Sequence, residues 1–340
     1  MSIVTDRQAV LAIYREAADR KRVLPCFCTE NLTTTEAILD AVRLHGEAIG
    51  EPDLPIILAL TNRYAHRSQS ANYTQTRRWD IGLKLFLADL NVLAGSDSPY
   101  SQLRILVHLD HTQFDADEEL LRWDMHAFSS IMFDASSVPL EENIRRTRRF
   151  VAEQGEKIVI EGACDEIVDA TGDIRCALTT ADKAQAYLEG TGVDLIVANL
   201  GTEHRAAAGN LTYHGDQARR IRDRVGPRIV LHGASSVPAD QIAGLADDGV
   251  CKVNLWTALE RDASPHLLRE LAAHADQAAG SQVVAELKAA GLLGPACRED
   301  RGLSIDFFTT VYRQTIIFQA MRRIVGGYLE QWVRPMPSAR

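Results

Sequence analysis

Histidine and carboxylate side chains recur in this chain directly after short apolar runs. Asp110 and His111 follow one such run, while His204 and His232 follow or end two others. Three neutral imidazoles with an open fourth position form the ligand set of a catalytic zinc ion, which acts as a Lewis acid on a carbonyl or enolate oxygen. A carboxylate beside one histidine can move a proton or orient a ligand. If the fold brings the three runs together, this pattern predicts a zinc-dependent enzyme.

Other polar residues occupy similar places and complete the candidate set. At the ends of further runs stand Asp134, Glu161, Asn254 and Thr257. His108 is different, because it lies two residues before Asp110 and therefore on the same strand face but deeper. It is either a core histidine or a group that supports the site, and we favour the first interpretation.

The segments that must position these residues are rich in Val, Ile and Leu and do not alternate cleanly with polar residues. That composition is typical of strands buried on both faces of a parallel sheet. Eight such segments lie at 24–28, 55–60, 104–109, 129–134, 157–162, 194–199, 228–233 and 250–256.

Helical patterns fill most intervals between the apolar segments. Residues 33–49 begin with threonines that can cap a helix, and residues 139–155 have proline and acids first and a glycine last. The sequence therefore predicts an α/β fold, a closed (β/α)8 TIM barrel with an extra N-terminal helix and a C-terminal helical extension. The alternative is an open doubly wound sheet, but residues 29–35 lack the glycine-rich turn expected after its first strand. We expect one barrel domain over residues 1–340, with its core at about 20–260 and a helical region at about 261–340.

Composition limits the partners and the compartment. The formal net charge of −9 argues against nucleic acid or an anionic membrane as the main partner, and no segment reaches the roughly 18 apolar residues of a membrane span. The N-terminus has the pattern of an amphipathic helix and lacks the apolar region of a signal peptide. The six cysteines form no regular framework, and Cys26 and Cys28 are better interpreted as neighbours on one strand face than as metal ligands. We expect a cytoplasmic protein with reduced thiols.

Several motifs in one order resemble the class II, zinc-dependent ketose-bisphosphate aldolases, the family of the fructose- and tagatose-bisphosphate aldolases. The match extends through most of residues 20–260, which is far more specific than any single motif. The resemblance implies a carbon–carbon lyase on a (β/α)8 barrel that uses zinc, in some relatives with a monovalent cation. It also implies a small anionic sugar-like substrate and a homodimer or homotetramer. The motifs are HLDH at 108–111, SSIMFDASSVPLEENI at 129–144, GTEH at 201–204, LHGASSVP at 231–238 and VCKVNLWT at 250–257.

The resemblance also implies roles at the metal. His111, His204 and His232 match the family's zinc ligands. Asp110 matches the catalytic aspartate that exchanges a proton with the hydroxyl at the cleaved carbon–carbon bond. We accordingly expect the metal and the proton carrier to share one site.

Further matching positions surround this centre. Asp134 matches an acidic position near the metal, and Glu161 matches the first glutamate of an E-x-E motif, so both join the candidate metal set. Asn254 matches a catalytic-site asparagine that contacts the substrate. Backbone amides and small hydroxyls can cradle a phosphate after strands 7 and 8, where the matching residues are Gly233, Ser235 and Thr257.

Departures from the family pattern concentrate at the substrate contacts. Arg205 stands where the family has glycine after the second zinc histidine, and Ala234 replaces another glycine. Trp256 and Ala258 replace polar or acidic residues of the strand-8 motif, and Ala163 replaces the second glutamate of E-x-E. We therefore expect the metal and the proton-transfer aspartate to be kept while the outer substrate contacts are altered.

Two interpretations of the anionic end stay open. Arg205, alone or together with Arg63, offers a fixed guanidinium fork that suits a phosphate or a carboxylate. Alternatively, the substrate has a carboxylate, a smaller group or no phosphate on that side, where Trp256 fills volume. The basic segment 63–67 is otherwise interpreted as a solvated surface. Asp165 and Glu166 are candidates for proton abstraction, because a mobile loop after strand 5 supplies such an acid in the family.

We therefore predict a zinc-dependent lyase that catalyses reversible aldol cleavage of an anionic ketose through an enediolate. A zinc-dependent sugar isomerase or epimerase needs the same enediolate without bond scission and is the alternative. A third candidate is a non-catalytic sugar-binding descendant, which has no need of an acid–base group such as Asp110 beside a metal.

Overall fold

Eight parallel strands form one closed barrel in a computed structural model that describes residues 2–165, 178–202, 212–234, 237 and 239–335. Each strand pairs with the next along the chain, and the last pairs with the first. The strands are β1 Leu24–Cys28, β2 Pro55–Thr61, β3 Arg104–Gln113, β4 Ser130–Asp134, β5 Val159–Ala163, β6 Leu195–Val197, β7 Ile229–Leu231 and β8 Val250–Leu255.

The predicted TIM barrel is confirmed, and each of the eight apolar segments contains one strand. Nearly every strand residue is buried, which explains why the segments lack polar alternation. The largest boundary difference is in β3, which continues past the apolar run to Gln113. That extension carries the HLDH motif inside a strand rather than on a loop.

Helices follow most strands and cover the outside of the barrel. The helix over Leu32–Ile49 is capped by Asn31, whose side chain accepts a hydrogen bond from the Thr34 amide. The prediction that a threonine caps this helix is therefore wrong. The helices are α1 Arg7–Asp19, α2 Leu32–Ile49, α3 Gln69–Asn72, α4 Trp79–Leu93, α5 Leu140–Gln154, α6 Ala181–Thr191, α7 Gly215–Val225, α8 Ala239–Ile242, α9 Thr257–Ala273, α10 Ala275–Ala279, α11 Ser281–Ala289, α12 Ile305–Phe308 and α13 Thr310–Trp332.

The apolar core lies in two layers. The larger layer fills the space between the barrel and its helices, and α13 joins it by packing against α2 and α9. The smaller layer lies inside the barrel, where Cys26 and Cys28 contribute side chains from β1. Helix α1 closes the end of this inner layer with Val10, Ile13 and Tyr14. The reactive residues must therefore project from the opposite end, where the strands finish.

Two further sequence expectations can be compared with the described residues. The thiols of Cys26, Cys28, Cys164, Cys251 and Cys297 are free, in agreement with reduced cysteines. Within the described ranges, no helix has both the length and the apolar character needed to cross a membrane.

Two helix glycines provide a matched test of the packing. A Cβ on Gly82 in α4 would lie 1.7 Å from the carbonyl oxygen of Ser70, whereas a Cβ on Gly326 in α13 would meet no atom within 4 Å. We expect Gly82→Ala to lower the free energy of unfolding by about 1–3 kcal/mol or more, because backbone must shift. Gly326→Ala should raise it by about 0.5–1 kcal/mol, since alanine favours the helix. Chemical denaturation followed by circular dichroism measures both, and equal effects would contradict the close packing of α3 on α4.

Candidate active site

A distortion of β3 brings two adjacent side chains to the same place. Neighbouring residues of a regular strand point to opposite faces, so Asp110 and His111 could not both face the barrel mouth. The pairing register between β3 and β4 shifts between Leu109 and Thr112, and His111 has a positive φ of 45°. A bulge of this kind re-aims a side chain. Both residues are buried and line the same cleft.

Potential ligand atoms converge at this point. One atom each from Asp110, His111 and His232 lie within 4.8 Å of one another. The rings of His111 and His232 meet edge to face, with 4.8 Å between their centroids. His232 directly follows β7, and its carbonyl oxygen accepts a 2.7 Å hydrogen bond from the Thr202 hydroxyl, which anchors the turn after β6 against it. The third predicted histidine, His204, lies outside the described residues.

Asp134 orients His111 from the end of β4. Its Oδ2 lies 3.1 Å from His111 Nδ1 and also accepts a 3.0 Å hydrogen bond from Gln113 Nε2. Its Oδ1 accepts hydrogen bonds from the Ser136 amide and hydroxyl. Burial alone would raise the pKa of Asp134, but these donors outweigh it and lower the pKa to about 2. With Nδ1 directed at this carboxylate, His111 presents Nε2 to the cleft, which is the usual arrangement of a metal-binding histidine.

Asp110 is held as a carboxylate between β1 and β8. Asn254 Nδ2 donates to its Oδ1 at 2.9 Å, and the Cys28 thiol approaches its Oδ2 at 3.5 Å. Burial opposes ionisation, but the nearby histidines His111, His108 and His232 outweigh it and hold the pKa of Asp110 well below its usual value. Burial raises the pKa of Cys28, which keeps the thiol protonated and able to donate. Asp110 is thus ionised, which is the form that can accept a proton.

Buried charges lie beneath Asp110 inside the barrel. Lys252 Nζ contacts Glu161 Oε1 at 2.7 Å and lies 3.0 Å from His108 Nε2, while His108 Nδ1 lies 2.8 Å from the Ser130 hydroxyl. All three charged or ionisable side chains are fully buried. Because an ammonium only donates, His108 Nε2 accepts from Lys252 and Nδ1 carries the proton toward Ser130. His108 Nε2 is also 3.8 Å from Asp110 Oδ1, so His108 is a core residue that touches the site.

Glu161 is not placed with the metal-ligand group. Strand β5 continues two residues beyond it to Ala163, so Glu161 lies deeper in the barrel than a strand-end residue would. There its carboxylate is engaged by Lys252 and faces His108 at 3.6 Å. The expectation that Glu161 binds the metal therefore gains no support from its position, and its contacts are those of an internal ion pair.

A cleft of about 650 Å³, open to solvent, connects these residues to the substrate-side positions. Gly233, Trp256 and Thr257, which the sequence analysis assigned to the substrate side, line it together with Ala234. Arg67 also lines the cleft. The interpretation of residues 63–67 as a solvated surface is therefore wrong for Arg67. Its other described lining residues are Cys28, Thr61, Tyr64, His66, Gln69, Asp110, His111, His232, Asn254, Leu255 and Ala258.

Several predicted residues do not reach the cleft. Arg63 pairs with Glu119 at 3.0 Å and stacks on the ring of Trp79, so it is not an anion ligand in this arrangement. Asp165 accepts a 2.6 Å hydrogen bond from Thr179 and pairs with Lys183. The remaining candidates Glu166, Arg205 and Ser235 lie outside the described residues.

The sequence analysis did not predict a role in the site for Tyr64, Arg67 or Lys252. Tyr64 stacks on the His111 ring with 4.5 Å between centroids and 12° between planes. Arg67 stands over the Trp256 ring at 4.6 Å. The alternation of aromatic and basic residues in RYAHR after β2 was the available signal for both. Lys252 had a clearer signal, because it is the single charged residue in a buried strand.

The donor set fits a divalent metal ion. His111 and His232 offer imidazole nitrogens, which suit zinc, and Asp134 supports His111 from behind. Both Asp110 oxygens already accept hydrogen bonds, from Asn254 and from the Cys28 thiol, which favours a proton-transfer role over ligation. A third ligand, for which the sequence offers His204, would complete the set.

The polar centre lies at the carboxyl end of a (β/α)8 barrel and contains two histidines and a buried carboxylate. This arrangement is typical of the active site of a barrel enzyme. The chain belongs to the class-II fructose-bisphosphate aldolase family, because the family model described as "Fructose-bisphosphate aldolase class-II" matches residues 8–291. It is therefore an aldolase, a carbon–carbon lyase.

Relatives and solved structures agree with this assignment. A fructose-bisphosphate aldolase of Thermus caldophilus is 28% identical over 243 residues, which cover 68% of this chain and 70% of that protein. The fold is similar to a fructose-bisphosphate aldolase from Campylobacter jejuni, with a TM-score of 0.72, 16% identity and coverage of 98% and 96% of the two chains. It is also similar to the YdjI aldolase from Escherichia coli K12, with a TM-score of 0.64, 16% identity and 98% coverage of both.

The buried ion pair gives a testable prediction. Lys252→Met leaves the Glu161 carboxylate buried without its ammonium partner, so we expect a loss of about 3–5 kcal/mol in the free energy of unfolding. The double variant Lys252→Met/Glu161→Met removes both charges and should recover most of that loss. Denaturant titration of the two variants and the unmodified protein measures this difference. A single-variant loss below about 1 kcal/mol, typical of exposed pairs, would contradict the assignment.

Proposed function

We propose that this aldolase catalyses zinc-dependent, reversible cleavage of an anionic, phosphorylated ketose. The observation that carries the proposal is the bulge at the end of β3, which sets the ionised Asp110 beside two convergent imidazoles at the mouth of the barrel. His111 and His232, with His204 as the third ligand, would hold the zinc ion. The chemistry that a bound zinc ion supplies at such a site is Lewis-acid stabilisation of negative charge on the carbonyl or enediolate oxygen.

Asp110 is the proton carrier in this proposal. During cleavage its carboxylate accepts the proton of the hydroxyl on the carbon whose bond to the enediolate fragment breaks, and it returns that proton during condensation. Asn254 fixes Asp110 by its amide nitrogen, and its Oδ1 is buried without a hydrogen-bond partner among the described residues. That oxygen is therefore available to accept a hydrogen bond from a hydroxyl of the enediolate fragment.

The anionic end of the ketose would bind near the ends of β7 and β8. Gly233 and Thr257 line the cleft at the ends of these strands, and Thr257 is the first residue of α9. A helix N-terminus presents unpaired amide groups and positive potential to an anion. Ser235 and Arg205 are the further groups that we propose for this end on the basis of the sequence.

Metal binding can be tested by graded substitutions. We expect His111→Ala and His232→Ala each to weaken zinc binding by more than about 100-fold, because each removes a ligand. Asp134→Asn removes only the group that orients His111, and should weaken binding by about 10–100-fold. The exposed His126, which pairs with Asp124, provides the control substitution His126→Ala. Competition with a zinc-binding dye measures all four affinities, and an unchanged value for His111→Ala would refute the metal site.

Proton transfer can be tested separately from metal binding. Asp110→Ala should retain zinc and lower kcat for carbon–carbon cleavage by about 10²–10⁴-fold, the usual contribution of a positioned acid–base group. Product analysis of the unmodified enzyme with fructose 1,6-bisphosphate and other ketose phosphates accompanies this measurement. A new aldehyde supports the lyase, whereas an isomeric sugar as the sole product would support an isomerase.

A further inference from the structure

Arg67 and Trp256 form a rigid platform in the cleft. The guanidinium of Arg67 lies over the indole of Trp256, and its Nε and Nη2 both donate to the Glu30 carboxylate, with 2.9 Å for the Nε bond. Asn72 Nδ2 donates to the same carboxylate at 3.0 Å. Glu30 is buried, so the guanidinium is fixed between an aromatic face and a carboxylate that is itself held.

The charge at this platform does not favour a phosphate. Arg67 is the only lysine or arginine among the described residues that line the cleft. Glu30 already offsets its charge, and Glu260 on α9 adds a second nearby carboxylate. Burial and then the charge of Glu30 raise the pKa of Glu260, while Arg67 lowers it, which shows that the three groups share one environment. A phosphate dianion placed here would approach Glu30 with no surplus positive charge to attract it.

The platform lies on the aldehyde side of the reaction. Asp110 receives the proton from the carbon that becomes the aldehyde, and its Oδ2 contacts Cys28 at the end of β1. Cys28, Thr61, Arg67 and Trp256 all line the cleft. Around the barrel, β1 and β2, which Glu30 and Arg67 follow, lie between β8 and β3, whereas His232 and Gly233 follow β7 on the other side of β8. The aldehyde fragment therefore extends from Asp110 toward the platform.

Polar atoms at the platform match a hydroxyl group. Trp256 Nε1 is buried and has no hydrogen-bond partner among the described residues, so it offers one donor. Glu30 does not line the cleft and already accepts hydrogen bonds from Arg67 and Asn72, so it acts by offsetting the charge of the guanidinium. A hydroxyl can accept from the indole N–H and has no charge to repel. A ligand that lacks this hydroxyl would leave the N–H unpaired and bind less well.

We propose that Glu30, Arg67 and Trp256 form a specificity subsite for the uncharged, hydroxyl-bearing end of the aldehyde fragment and select against a terminal phosphate there. The substrate class is then a ketose with a single phosphate, on the enediolate side. This inference rests on the proposed aldolase reaction.

The test is condensation by the zinc-loaded enzyme, with dihydroxyacetone phosphate as donor and either glyceraldehyde or glyceraldehyde 3-phosphate as acceptor. We expect kcat/KM for glyceraldehyde to exceed that for the phosphorylated aldehyde by about 10-fold or more. Glu30→Gln removes the negative charge and leaves that of Arg67 uncompensated, so it should shift the ratio toward the phosphorylated aldehyde by about 10-fold or more. Glu119→Gln is the matched control, because it breaks the Arg63 ion pair on the same loop but outside the cleft, and should leave the ratio unchanged.

A second variant removes the indole N–H of the platform. Trp256→Phe retains an aromatic face but loses the Nε1 donor, and should lower kcat/KM for glyceraldehyde by about 10-fold with zinc content unchanged. A preference of the unmodified enzyme for glyceraldehyde 3-phosphate, or an unaltered ratio in Glu30→Gln, would overturn the subsite assignment alone. Absence of condensation with both aldehydes would overturn the proposed reaction, and the subsite with it.

Discussion

The backbone of His111 is the constraint on which the active site depends. Strand geometry separates adjacent side chains onto two faces, yet the proposed chemistry needs a proton carrier and a metal ligand within a few ångströms of each other. The bulge at the end of β3 reconciles the two demands, with His111 in a left-handed conformation that costs a non-glycine residue about 1–3 kcal/mol. Asp134 and the stacked ring of Tyr64 hold the His111 side chain in that position. The strain is thus retained where it places a reactive group.

The barrel beneath this point is built to keep charges in place. Lys252, Glu161 and His108 occupy the interior directly below Asp110 and satisfy one another and Ser130. Such a group gives little net stability compared with apolar packing, but it fixes a particular geometry if each member is paired. Here the group gives Asp110 polar neighbours on its inner side. An aliphatic layer in the same place would leave that side of Asp110 in contact with hydrocarbon.

The sequence predicted the barrel because parallel strands buried on both faces have a distinctive composition, and all eight were located. It also predicted the cleft residues at the ends of β3, β7 and β8, since a barrel brings strand ends together. Details that depend on one or two residues were not accessible. The end of β5 lies two residues beyond Glu161, and that shift changes an expected metal ligand into the partner of Lys252. The bulge at His111 leaves no mark in composition, and the partner of Trp256 comes from a loop nearly two hundred positions earlier in the chain.

That loop, after β2, has a consequence for how this enzyme can diversify. Over a few residues it places Tyr64 against His111, a proposed metal ligand, and Arg67 against the tryptophan at the end of β8. Its backbone is tied to the barrel by the Thr61 hydroxyl, which donates to the carbonyl of Arg67, and by Gln69, which accepts from the Thr61 amide. Because the reactive groups belong to other strands, a substitution at Arg67 can alter acceptor choice while Tyr64 continues to hold His111. Gene duplication followed by change at Arg67, with Tyr64 kept, would give paralogues with one chemistry and different sugars.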